Sequence, residues 1–189
     1  MALLNPNLWV ANYANQMYKY ALMRVKYVEV AEDLVQETFI SALKSKDNFS
    51  GSSSEKTWLF SILKFKLADY YRAQYKNTPA QVQTDEQFEN EYFEGDERNH
   101  FKTEHQAQTW HRDIEQSIEQ QEFQTVLSGC LKKTPTKIST VFSMKYLEDL
   151  DSKEICSSLG ITESNFWVLM HRAKVQLREC LEKNWFVEV

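Results

Sequence analysis

Glycine and proline are scarce, four and three in 189 residues. Hairpins and tight β-turns depend on both, so their shortage disfavours a chain of strands and favours helices. Cysteine is sparse too. Cys130, Cys156 and Cys180 are odd in number and include no CxxC pair, which argues against a disulfide framework and against a structural zinc site. No apolar run approaches the roughly 20 residues that cross a bilayer. The start, Met1 to Pro6, lacks the basic beginning and long apolar stretch of a signal peptide. A cytoplasmic protein is expected. No Gly-rich phosphate loop, HExxH or GxSxG occurs, so no catalytic residue, cofactor or metal is expected.

What is present is the balance of a folded chain, 42% hydrophobic and 26% charged. The formal net charge of −5 conceals three blocks. Residues 1–75 carry 9 basic and 7 acidic side chains, residues 76–123 carry 4 and 12, and residues 124–189 carry 9 and 8. An acidic stretch thus separates two near-neutral ones. Neither end is basic enough for charge alone to identify a nucleic-acid binder.

The first block reads as helices over Leu8–Val28, Ala31–Lys44 and Trp58–Gln74. In the second of these, Leu34, Val35, Phe39 and Leu43 fall on one face, with carboxylates on the first turn. The turn-rich segment Asp47–Ser54 precedes the third helix, for which Thr57 or Ser54 can serve as cap. Residues 76–123 read as a linker whose aromatics, Phe88, Tyr92, Phe93, Phe101 and Trp110, suggest docking; helical spacing returns from Ile114. The last block holds a helix marked by Ile138, Val141, Phe142 and Tyr146. A second covers Asp151–Leu159, with Ser152 as cap and Gly160 as stop. A third is capped by Thr162 with Asn165 at its third position. Helix, Gly turn, helix is the helix-turn-helix pattern.

Glu32, Asp33 and Glu37 form the densest carboxylate group outside the linker. They can be acid–base or metal residues, or a solvated or protein-binding face, and the latter is favoured. His100, His105 and His111 are loosely spaced in a segment without signals of rigid structure, a poor metal site. On the last helix, Phe166, Met170, Ala173 and Leu177 share a core face flanked by Leu169 and Cys180. Opposite lie Ser164, Val168, His171, Arg172 and Val175, with Trp167 and Arg178 at the edge. In a recognition helix, Arg172 can pair with phosphate or guanine, and Trp167 and Val168 can meet thymine methyls; alternatively both faces are buried in a bundle. The helix from Trp58 mixes Lys64, Lys66 and Arg72 with Trp58, Phe60, Phe65, Tyr70 and Tyr71. Cations can meet phosphates and rings can stack on unpaired bases, although some of these rings must serve the core.

Both ends resemble the extracytoplasmic-function (ECF) type of bacterial RNA polymerase sigma factor. Ala31-Glu-Asp-Leu-Val-Gln-Glu-Thr-Phe39 is similar to the family's region 2 helix. The resemblance assigns Asp33, Gln36 and Glu37 to the clamp coiled coil of the polymerase β′ subunit. Phe49-Ser-Gly-Ser-Ser-Ser54 with Thr57-Trp58-Leu59 is similar to the loop and helix that open the promoter −10 element and hold a flipped base. That implies −10 contacts from Asn48, Phe49, Ser50, Gly51, Ser52, Trp58, Lys64, Lys66, Tyr70 and Arg72. Glu154–Asn165 and His171-Arg-Ala-Lys174 resemble region 4, which reads the −35 element and meets the β flap. That implies −35 contacts from Ser164, Asn165, Trp167, Val168, His171 and Arg172.

Two departures stand out. Phe65 occupies a position where the family often has Asn, and Trp167-Val-Leu169 replaces a basic, a small polar and an Arg residue. The expectation is a non-enzymatic, all-α protein of two small helical domains, 1–75 and 124–189, joined by the acidic linker 76–123. Its implied partners are core RNA polymerase and promoter DNA, and the resemblance also admits an anti-sigma factor clasping both domains. The alternatives are a one-component helix-turn-helix regulator, which binds its operator autonomously as a dimer, and an enzyme with a carboxylate–histidine metal site.

Overall fold

Local capping chemistry and i, i+4 apolar spacing partition the chain into helices. The computed structural model describes residues 4–79 and 117–185, with side chains in the second stretch from residue 122 onward. Among the described residues there are seven α-helices and no strand. They are α1 Trp9–Leu22, α2 Val28–Ser45, α3 Glu55–Asn77, α4 Ser117–Lys133, α5 Thr136–Tyr146, α6 Ser152–Leu159 and α7 Glu163–Asn184. The described residues fall into two compact units. The first takes in 4–73 and 143–150, the second 74–79, 117–142 and 151–185. The expectation that linker aromatics dock, and the reading of His100, His105 and His111, lie outside the described residues.

In the first unit α1 packs on α2. Trp9, Met17 and Ala21 of α1 meet a core that includes Ala31, Leu34, Val35 and Ala42 of α2. Leu59, Leu63, Leu67 and Tyr71 of α3 recur every fourth residue and are all buried, the spacing that keeps a helix stripe turned inward. Ser54 caps α3, its Oγ accepting from Thr57 N–H at 3.1 Å.

α1 stops at Leu22 instead of running to Val28. Tertiary contacts override helix propensity here: Val25 is buried, and Arg24 turns inward. The Arg24 Nε donates to Glu148 Oε1 at 2.7 Å, Nη1 to the Tyr20 carbonyl at 3.1 Å and Nη2 to the Leu147 carbonyl at 3.2 Å. Tyr20 Oη donates to Glu148 Oε2 at 3.2 Å, and the guanidinium lies over the Tyr20 ring, 3.4 Å from its centroid. The Glu148 side chain is 1% exposed and that of Arg24 is 11% exposed. Burial pushes the Glu148 carboxyl above its ordinary range, with Arg24 and Tyr20 opposing. Burial and the neighbouring carboxylate raise the Tyr20 phenol to about 12.

In the second unit α7 packs against both α4 and α6. Asp151, not Ser152, caps α6: its Oδ2 accepts from Lys153 N–H at 2.9 Å. The side chain that reaches back over the first turn sits one residue earlier than the sequence reading placed it. Gly160 ends α6 at φ 69°, ψ 39°, a left-handed turn that glycine enters without a Cβ clash. The Cys156 carbonyl accepts from Ile161 N–H at 3.0 Å. Thr162 then caps α7 through Asn165 N–H at 3.2 Å. The Gly160 stop and the Thr162 cap of the helix-turn-helix are therefore built as the sequence marks them, and the cap of α6 is not.

The cysteine expectation is overturned. Cys130 of α4 and Cys180 of α7 form a disulfide, with Cα atoms 5.8 Å apart. The two helices pack directly on one another, and a spacing of 50 residues carries no trace of that. Cys156 is free and buried.

Candidate protein-docking and nucleic-acid surfaces

α2 exposes a strip that its own burial pattern defines. With Ala31, Leu34, Val35, Thr38 and Ala42 turned inward, Glu32, Asp33, Gln36 and Glu37 face outward. Ile40 and Leu43, both about half exposed, lie along the same side. Phe39 and Leu43 were read on one apolar face with Leu34 and Val35. The buried stripe instead runs through Thr38 and Ala42, and Phe39 is only half-buried. Thr38 tolerates burial because its Oγ1 donates to the Leu34 carbonyl at 2.6 Å. Glu37 pairs with Lys66 of α3 at 3.2 Å. A strip of carboxylates and an amide interrupted by aliphatic side chains suits a protein partner: the apolar groups gain from burial and the charges set the register. Sequence reasoning missed Ile40, since no periodicity tells an outward isoleucine from an inward one.

After α2, Asn48 and Ser50 are exposed, and Phe49 leans back on Trp58 of α3, ring centroids 5.1 Å apart. Trp58 in turn meets the buried Trp9 at 5.9 Å. Gly51 has φ 72°, and the hydroxyls of Ser50 and Ser52 lie 2.8 Å apart across it. The aromatic anchor at one end and the Ser54 cap at the other hold the loop. The backbone and hydroxyls between them stay accessible.

Further along α3, Lys64 is exposed and Lys66 and Tyr70 half-buried. Arg72 pairs with Asp69 one turn away. The rings divide as the mixed composition implies. Tyr71 and Tyr75 are core, Trp58 and Phe60 half-buried, and Phe65 stands 70% exposed. Such an aromatic between two lysines offers a stacking face with cations beside it. The sequence assignment did not include it among the DNA contacts.

On α7 the residues at the helix start match expectation. Ser164, Asn165, Trp167 and Val168 are exposed, Trp167 at 56%. Phe166, Leu169, Met170, Ala173 and Leu177 are buried. Two residues expected on the outer face are not there: Arg172 is 4% exposed and Val175 2%. A helix held by neighbours on two sides buries a wider sector than one stripe, and these two fall on its flank. His171 is half-buried. Burial, then Lys174 and Arg178, hold its imidazole below the ordinary value, which favours the neutral ring at neutral pH.

Among the described residues no three His, Cys, Asp or Glu side chains cluster to hold a metal, and no helix is long and apolar enough to cross a membrane.

Comparison with protein families matches Sigma-70 region 2 over residues 9–77 and Sigma-70 region 4 over residues 127–177. The chain is 37% identical over 168 residues to a probable RNA polymerase sigma factor of Haemophilus influenzae, an alignment covering 89% of this chain and 85% of that one. It is 26% identical to the ECF RNA polymerase sigma factor SigM of Bacillus subtilis, over 88% of each. Identity with the RNA polymerase sigma factor YlaC of the same organism is also 26%, over 91% of this chain and 89% of that one.

Proposed function

We propose how this chain, which belongs to the extracytoplasmic-function type of RNA polymerase sigma factor, distributes its task over the surfaces described above. As a member it is a non-enzymatic initiation factor that works with core RNA polymerase on promoter DNA. Membership removes the readings as a one-component regulator and as a metalloenzyme. The observation that carries the assignment of surfaces is the outward strip of α2. Asp33, Gln36 and Glu37, with Ile40 among them, form the contact to the β′ clamp coiled coil. Residues 1–75 serve as the core-binding and −10 domain, residues 124–189 as the −35 domain, and 76–123 as the linker.

The loop Asn48–Ser52, anchored by Phe49 on Trp58, receives an unpaired −10 base. Trp58, Lys64, Lys66, Tyr70 and Arg72 contact the opened strand and its phosphates. At −35, the exposed start of α7 enters the major groove, with Ser164 and Asn165 hydrogen-bonding and Trp167 and Val168 making apolar contact with base edges. The neutral His171 adds a short-range contact. Arg172, being buried, braces the helix from its flank, and the exposed Lys174 supplies a phosphate cation. The same unit meets the β flap. We place the protein in the cytoplasm, where its polymerase resides.

The test is capture of core polymerase by the full-length protein and by a D33A/Q36A/E37A variant whose helical circular dichroism matches wild type. Capture should fall by at least tenfold, and undiminished capture overturns the assignment.

A further inference from the structure

We propose that Cys130 and Cys180 form a reversible thiol-oxidation site: a hydroperoxide closes it, a dithiol reductant reopens it, and the bond staples α7 to α4. The inference rests on the cytoplasmic reading above, because in a reducing compartment paired cysteines stand as thiols until an oxidant arrives.

The placement of the two residues supports a site rather than a passive pair. Their Cα atoms lie 5.8 Å apart, inside the range a disulfide spans without backbone movement. Their exposure differs: Cys130 is 2% exposed in the core, whereas Cys180 is partly open to solvent. A small peroxide therefore meets Cys180 first, and the resolving thiol waits behind it. Cys156 is an internal contrast. It is buried, and burial first, then the Glu163 and Asp151 carboxylates, push its thiol up, away from the reactive thiolate.

The chemistry balances without a metal or cofactor. The Cys180 thiolate attacks the peroxide, and with one proton taken up gives Cys180 sulfenic acid and the alcohol, or water from hydrogen peroxide. The Cys130 thiol then displaces hydroxide from that sulfur, which leaves with the thiol's proton as water, and the S–S bond forms. A dithiol returns both thiols and is itself oxidised to its disulfide.

The site bears on function through α7, which carries Cys180 near one end and the exposed Ser164, Asn165, Trp167 and Val168 near the other. Closing the bond ties the recognition helix to α4 across 50 residues of chain. The stapled unit therefore resists unfolding that the reduced unit undergoes.

The full-length protein is first reduced, then treated with hydrogen peroxide, and peptides are mapped without reductant. The expected product is one Cys130–Cys180 linkage lighter by two hydrogens, reversed by dithiothreitol, with Cys156 still alkylatable. The linked form should gain at least about 5 °C in thermal midpoint over the reduced form. C156S should behave as wild type, and C130S should yield a sulfenic acid at Cys180 that a 1,3-dione traps. Peroxide that leaves both thiols alkylatable, or that oxidises Cys156 in preference, overturns the proposal. So does acid-quenched thiol trapping that finds the pair fully oxidised in unstressed cells, since the bond is then static and the cytoplasmic reading fails with it. Polymerase capture by D33A/Q36A/E37A is independent of the thiols, so failure of that surface assignment is read separately.

Discussion

Replacing Glu148 with alanine removes the carboxylate that faces Arg24 while leaving the guanidinium inside the first unit. Arg24 retains its bonds to the Tyr20 and Leu147 carbonyls, but the carboxylate that offset its charge is gone. With both side chains nearly inaccessible, breaking such a pair costs about 3–5 kcal/mol, or roughly two to four powers of ten in the opening equilibrium. Hydrogen exchange suits the measurement because it reports on one unit without requiring two-state unfolding of the whole chain. Slow amides of α1, such as those near Met17 and Ala21, should lose that much protection in E148A, while α7 amides change little. The double variant R24M/E148M, which leaves no buried charge, should recover most of the loss. A loss below about 1 kcal/mol in E148A, or a double variant as unstable as the single, refutes the claim that charge pairing holds this contact.

Three further outcomes follow from the second unit. Closing the Cys130–Cys180 loop of 50 residues should stabilise it by at most about 4 kcal/mol, so dithiothreitol should lower its thermal midpoint and C156S should not alter that shift. The His171 imidazole is held below its ordinary value, so the folded state binds its proton less readily than the unfolded chain. Stability is full above about pH 6.5 and falls as pH drops through the lower folded value, a slope that H171Q should flatten in melts across that window. Gly160 sits at φ 69°, so G160V should destabilise the helix-turn-helix by at least about 1–2 kcal/mol in urea titrations, whereas S152A should cost little because Asp151 is the cap.

What could be read in advance was whatever local chemistry decides. Thr162 with Asn165, Gly160 and Ser54 each act within four residues of themselves, so their sequence signal and their hydrogen bonds coincide. The Asp33, Gln36 and Glu37 assignment came from the resemblance of Ala31–Phe39 to the family's helix; helical spacing misplaced the stripe behind it, which runs through Thr38 and Ala42 where Phe39 and Leu43 were read. What depended on distant neighbours was not legible. α1 ends at Leu22 because Arg24 is drawn to Glu148, 124 residues away. Arg172 is buried because α7 has two neighbours, the bundle alternative that helical spacing alone left open. The cysteine pair is the plainest case, since counting thiols says nothing about which helices touch.

The exposed apolar side chains bear on how the protein binds. Ile40 and Leu43 on α2, Phe65 on α3, and Trp167 and Val168 on α7 all face solvent, and each leaves the favourable free energy of its burial unrealised in the free chain. The charge pattern supplies no substitute. The two ends carry net +2 and +1, far from the cationic surface that gives autonomous duplex binders their phosphate grip. A chain so constituted should bind duplex DNA weakly alone, with a shallow dependence on salt. Its affinity should appear only when core polymerase covers the α2 strip and opens the strand, so that rings and small polar groups, rather than charge, read the bases. A steep salt dependence for the isolated protein on duplex promoter DNA contradicts this division of labour, because ends of net +2 and +1 carry little cationic excess with which to release counterions.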